Sequence, residues 1–277
     1  MKSTVSQKPS PNWLHGSWRL LTLPFSLFIF LPLLALFLRI TPADLWQSLH
    51  EEQVTQALSL SLVTSLATVL VTIVFGTPVA YYLSHRRYRF HRLLDTLIDL
   101  PTVLPPAVAG VALLAAFGRR GLLGGTLGSI GISLPFTQIA VIMAQTFIAA
   151  PLYIKSAALG FSGVDCELRK AAALDGANRW QTFRYIIIPM SWIALLSGAV
   201  MTWARALGEF GATIIFAGNF PGRTQTMPLA IYIGFEIDLN VAVTLAIILV
   251  CLAFLILIVV KAFLSNQIEL NPAETEY

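Results

Sequence analysis

Arg205 and Glu209 stand four residues apart inside a strongly apolar stretch that covers about 190–217. At helical spacing they share one face, and ionisable groups within a membrane-spanning helix are costly enough to mark either an internal ion pair or a transport pathway. The ion pair, which would hold two helices together, is the preferred reading, since Glu209, one turn away, offsets Arg205. Ala204, Gly208 and Ala212 form a small-xxx-small ridge beside the pair, a surface on which helices approach closely. Nothing else assembles into catalytic chemistry. The four histidines are scattered, and Cys166 and Cys251 have neither metal-ligand spacing nor a shared aqueous compartment, so they read as free thiols. The glycine-rich stretch 118–135 invites a phosphate-loop reading, but no Gly-Lys-Ser/Thr occurs anywhere in the chain. No catalytic residue, cofactor site or metal site is therefore expected here.

The most organised polar pattern is 167–189, E-L-R-K-A-A-A-L-D-G-A-N-R-W-Q-T-F-R-Y-I-I-I-P, a soluble island between apolar segments. Ser162 or Asp165 can cap a first helix, and Asp165 and Glu167 suit its positive N-terminal end. Leu168, Ala171, Ala172 and Asp175 share one mostly small face. Gly176 supplies the left-handed position that ends the helix. Asn178 followed three residues later by Gln181 is a capping-box pattern for a second helix with Trp180, Phe183 and Ile187 on its apolar side. That helix is expected to run straight into the membrane at 186–189. A helix lying on the membrane surface is the other reading of this spacing.

What must position these residues is a set of membrane helices. Hydrophobic residues make up 56% of the 277 and charged residues 12%, and the mean hydropathy is +0.75, too apolar for a soluble domain. The net charge of +4 comes from basic residues in short loops beside apolar spans, so no nucleic-acid site is read. Six spans are expected, at about 20–38, 57–83, 97–117, 136–159, 190–217 and 241–264. The first lacks a small-x-small cleavage site and stays uncleaved. In the second, Ser61, Ser65, Thr68 and Thr72 fall on one stripe, which suits packing against another helix better than a pathway lining. Pro101, Pro105 and Pro106 should make the third irregular, and the fourth should be interrupted near Ala149-Ala150-Pro151. Asp95 and Asp99 are expected at the membrane interface. The domain reading is a cytoplasmic tail over 1–18, a transmembrane body over 19–264 with the polar loop at about 162–189, and a cytoplasmic tail over 265–277.

The basic run 85–92 (H-R-R-Y-R-F-H-R) places its loop in the cytoplasm, and roughly 13 Lys/Arg then lie on that side against about four outside. Both termini and the loop at Glu167 follow as cytoplasmic. The Pro/Gly-containing stretch 219–226, with Asn219, Thr224 and Gln225, falls outside and is expected to receive a partner protein.

The run Lys170-Ala171-Ala172, three residues, Gly176, nine residues, Ile186-Ile187-Ile188-Pro189 resembles the E-A-A-x3-G-x9-I-x-L-P loop of the membrane subunits of binding-protein-dependent ABC importers. Lys170 stands where Glu is usual, which reverses a charge, and Ile188 stands where Leu is. The residues 205–219 (R-A-L-G-E-F-G-A-T-I-I-F-A-G-N) and 221–232 (P-G-R-T-Q-T-M-P-L-A-I-Y) resemble, more specifically, the membrane subunit of molybdate importers, with a resemblance that covers about 55–260. It implies an all-α type I ABC importer permease fold with about six transmembrane helices in the inner membrane. It further implies transport of molybdate or tungstate and no enzymatic activity in this chain, with ATP and Mg2+ bound by a separate ATP-hydrolysing subunit. A second permease copy and an oxyanion-binding protein complete the implied assembly. Glu167, Lys170, Ala171, Ala172 and Gly176 would form the coupling helix that docks on the ATPase subunit, and Arg205, Gly208 and Glu209 the intramembrane pair or pathway. The alternatives are a sulfate or thiosulfate permease of the same class and, from another class, a secondary transporter or channel that uses Arg205 and Glu209.

Overall fold

A computed structural model describes residues 12–85 and 90–269, and every regular element in it is helical. Most of the two tails, and Arg86 to Arg89 of the basic run, lie outside the described residues. Three helices are long and apolar enough to cross a membrane, and three pairs of bent helices bring the number of spans to as many as six.

α1 (Asn12–Leu38) turns by 75° into the short α2 (Pro42–Leu49), which lies between the first two expected spans. Thr41 caps α2 by accepting the amide of Asp44, and Pro42 starts it with its φ already set. α3 (Glu52–Ser84) follows as the longest span. The third span is sharply broken, as its prolines require: α4 (His91–Val103) and α5 (Pro106–Phe117) meet at 117°, with Leu104 and Pro105 extended between them. After α6 (Gly124–Ser129), α7 (Gln138–Gly163) runs unbroken through Pro151, which corrects the expected interruption. Pro151 forfeits one backbone hydrogen bond, but Ala149, Tyr153 and Ile154 around it are buried against α3 and α11, and Thr202 donates to the carbonyl of Ala149 at 3.2 Å. Packing on both sides outweighs the lost bond.

The polar loop forms α8 (Cys166–Leu174) and α9 (Arg179–Thr182), then a π-helical turn (Phe183–Ile187) and α10 (Ile188–Met190). The straight passage into the membrane is corrected here, because the chain bends by 71° before α11 (Trp192–Leu207). Pro189 cannot donate to the carbonyl one turn back, and the turn widens so that Ile188 donates to Phe183. The span ends early at Leu207, and a separate α12 (Gly211–Phe216) follows. α13 (Met227–Ile237), an apolar helix too short to cross, packs on the last span, α14 (Leu239–Glu269).

α7 is the centre of the bundle, flanked by α3 and α11. Small residues set these crossings: a Cβ on Gly160 would lie 2.6 Å from Ala194 Cβ, and one on Gly198 would lie 2.8 Å from Ser156 Cβ. The hydroxyl stripe of α3 is buried in the same bundle. Ser61 accepts the amide of Met227 at 2.7 Å, Ser65 accepts Trp203 Nε1 at 2.9 Å, and Thr68 donates to Gln145 Oε1 at 3.0 Å. The stripe therefore ties α3 to α7, α11 and α13, in agreement with its packing role. α4 is tethered to α7 by Lys155, whose ammonium lies 2.5 Å from Asp95 Oδ1 and 2.8 Å from Asp99 Oδ2.

Candidate functional site

α8 carries the candidate coupling residues, and its two ends are built as the spacing requires. Asp165 caps it through the amide of Glu167 at 2.9 Å. At the other end Ala177 donates to Ala172 and Gly176 to Ala173, a Schellman closure around Gly176 at φ +83°. No atom lies near the Cβ that Gly176 lacks, so glycine is required there by backbone conformation rather than by space. The capping box is complete: Gln181 donates its amide to Asn178 Oδ1 at 2.9 Å, and Gln181 Oε1 accepts the amide of Asn178 at 2.8 Å.

Arg169, whose role is not legible from spacing, moors this helix. Its guanidinium donates to the carbonyls of Phe161 and of Val164, at 3.1 Å for the latter. These carbonyls belong to the open C-terminal end of α7, where a cation is favoured. The small face divides. Ala172 is turned inward at 8% exposure, while Glu167, Leu168, Lys170, Ala171 and Asp175 are open. Leu174 is 89% exposed, an apolar side chain standing free beside them. α8 is thus a short rigid helix held at both ends, with an unused outer surface.

The Arg205–Glu209 pair exists, with Nη1 2.9 Å from Oε2, but the helix on which it was placed does not continue. α11 stops at Leu207, Gly208 turns the chain, and Glu209 lies in the break before α12. The continuous Ala204–Gly208–Ala212 ridge is corrected accordingly. Glu209 is 1% exposed and uses its second oxygen, Oε1, to accept the amide of Ala212 at 2.8 Å. The carboxylate therefore meets the positive first turn of α12 on one side and a guanidinium on the other. α12 is pressed on α5: a Cβ on Gly110 would fall 2.7 Å from Ile215 Cβ and 2.9 Å from the carbonyl of Ala212. Glu209 thus links the end of α11 to the first turn of α12, which packs on α5.

The stretch 219–226 is a compact turn rather than an open loop. Arg223, Thr224 and Gln225 all donate their amides to the carbonyl of Phe220, and Thr224 Oγ1 accepts the amide of Phe220 at 3.1 Å. Thr224 is 0% and Gln225 4% exposed, so these two are not the accessible residues expected. The backbone of a tight turn draws threonine inward as an acceptor, a role that polar composition disguises as solvation. Asn219 is half-buried, and the exposed tip is Phe220 to Arg223. Phe220 also meets Phe136 edge-on at 5.9 Å, and Phe136 holds a φ of +63°.

Residues 72–268 match the family of binding-protein-dependent transport system inner membrane components. The chain is 38% identical to the molybdenum transport system permease protein ModB of Mycobacterium tuberculosis over 91% of its own length and 94% of the relative's. It is 37% identical to the probable transport system permease protein NifC of Clostridium pasteurianum, over 89% and 87%. With ModB of Escherichia coli the identity is 40%, over 64% of this chain and 78% of the relative. The fold is similar to that in a bacterial alginate ABC transporter in complex with its alginate-bound periplasmic protein, with TM-score 0.72, 18% identity and 90% and 93% coverage. It is also similar to the inward-facing MetNI methionine ABC transporter, with TM-score 0.59, 18% identity and 82% and 99% coverage. An all-helical bundle with broken spans, a capped polar helix between two of them and a family match over most of its length make this chain a member of the binding-protein-dependent transport system inner membrane components.

Proposed function

We propose that the chain is the membrane subunit of an ATP-driven importer of molybdate, with tungstate, a tetrahedral oxyanion of like charge, as a second substrate. The observation that carries this reading is α8, a capped helix moored through Arg169 that offers Glu167, Leu168, Lys170, Ala171 and Leu174 to a partner. A short rigid element of this kind transmits force between subunits without fraying. Identity to permeases named for molybdenum, over about nine tenths of both chains for the Mycobacterium tuberculosis relative, supports the choice of oxyanion.

In this reading ATP and Mg2+ are bound by a separate ATPase subunit on which α8 docks, and a second permease copy completes the pathway. Both termini and α8 face the cytoplasm. The tip from Phe220 to Arg223 faces outward and meets an oxyanion-binding protein. Arg205 and Glu209 position α12 on α5, and the anion passes by weak contacts with backbone and hydroxyl groups. A substrate test is competition: uptake of labelled molybdate by cells that depend on this permease should be suppressed by tungstate and left intact by excess sulfate. Equal suppression by sulfate would assign the chain to sulfate transport instead.

A further inference from the structure

A groove of about 1100 Å³ opens between the last turns of α3 and the segment that leads from α8 to the membrane. Tyr81, Trp180 and Phe183 form its floor, with Phe183 stacked edge-on to Tyr81 at 4.8 Å and tilted against Trp180 at 5.9 Å. Among the described residues Arg179 and His85 line it at the polar end, and no carboxylate does. Among the described residues Arg179 makes no ion pair. Towards the membrane the groove reaches Val74, which is 63% exposed, and the same stripe of α3 continues as exposed Leu70 and Leu66.

Such a combination of aromatic floor, cationic end and apolar extension matches one ligand chemistry. Tyr and Trp rings favour the headgroup level of a bilayer, and Arg and Lys near the surface attract anionic headgroups. One leaflet is about 15 Å of hydrocarbon, or roughly ten residues of helix rise, which takes an acyl chain from Tyr81 past Val74.

We propose that this groove holds one anionic phospholipid of the cytoplasmic leaflet, its phosphate on Arg179 and an acyl chain along Val74 and Leu70. This rests on the orientation proposed above. The lipid braces the end of α3 against the segment that joins the coupling helix to α11, so anionic lipid becomes part of the coupling apparatus.

The test uses the complete transporter, permease with its ATPase subunits, in nanodiscs of phosphatidylcholine with and without phosphatidylglycerol. Benzoylphenylalanine at Val74 should form a light-dependent adduct with phosphatidylglycerol, and Arg179→Gln should lower its yield about fivefold, the effect of one basic group near an anionic surface. Native mass spectrometry of the unsubstituted complex should find one phosphatidylglycerol per permease retained through detergent exchange, again lost with Arg179→Gln. An adduct on a second permease copy or another subunit would overturn the proposal. Equal retention of phosphatidylcholine, or indifference to Arg179→Gln in both measurements, would do the same. Thiol labelling of Arg223→Cys reports separately on orientation, so absent lipid in a correctly oriented chain contradicts this proposal alone.

Discussion

Glu209 accepts the backbone amide of Ala212 at 2.8 Å, across the break between α11 and α12. With Arg205 on its other oxygen, this carboxylate serves two partners from a position of almost complete burial. Its removal strands both.

Glu209→Ala should therefore destabilise the permease by about 1–3 kcal/mol, the cost of leaving a buried donor unpaired. Glu209→Gln keeps an acceptor for Ala212 and should cost less. Arg205→Ala should be harmful alone and milder when combined with Glu209→Gln, since the neutral amide no longer needs a counter-charge. Thermal unfolding of the detergent-solubilised complex compares the four variants. A stable Arg205→Ala complex that hydrolyses ATP and moves no oxyanion would make Arg205 a pathway residue.

Arg169→Gln should loosen α8 from the end of α7, because hydrogen bonds to a charged donor contribute about 1.5–3 kcal/mol each when well formed. The expected signature is retained basal ATPase activity with weakened stimulation by the binding protein. Arg169→Lys should recover little, since an ammonium cannot reproduce the guanidinium fork. Full stimulation in Arg169→Gln would remove the mooring role.

At Gly176 the backbone, not space, sets the requirement. Gly176→Ala should cost about 1–2 kcal/mol, Gly176→Asn less, and Gly176→Val more because a β-branched residue tolerates positive φ worst. Equal stability of the Asn and Val variants would contradict this ordering.

These helix ends were legible in the sequence because caps are local. Asp165, Gly176 and the Asn178–Gln181 box each act within six residues, and all are where the spacing puts them. The third-span break was legible for the same reason, since Pro105 and Pro106 constrain their own φ and their neighbour's ψ. What escaped depends on tertiary partners. Lys155 reaches Asp95 across 60 residues, Arg169 finds carbonyls of the preceding helix, and the halt of α11 at Leu207 follows from Glu209 gaining the Ala212 amide. Pro151 misled in the opposite sense, because burial on two sides holds a helix that propensity alone would break. The turn at 219–226 misled through composition: Thr224 and Gln225 are polar and buried.

For topology, an impermeant thiol reagent added from outside should label Arg223→Cys and leave Thr224→Cys unmodified, in a chain whose native Cys166 is replaced by Ser. Adjacent positions with opposite reactivity test burial and orientation together. Labelling of Arg223→Cys only from the cytoplasmic side would reverse the assignment of the C-terminal half.

In the proposed function this chain couples ATP hydrolysis in a separate subunit to oxyanion passage through α8. Molybdate uptake into proteoliposomes that contain the complete complex, with binding protein supplied on the opposite side, tests it most directly when the unsubstituted chain is compared with Leu174→Asp. Leu174 is 89% exposed, so the substitution removes no buried contact within the chain and acts on the docking surface proposed for the ATPase subunit. Uptake should require both ATP and binding protein and should fall at least tenfold in Leu174→Asp, the consequence of losing about 1.4 kcal/mol or more at an anchoring contact. Uptake that proceeds without ATP, or at an undiminished rate in Leu174→Asp, would contradict it.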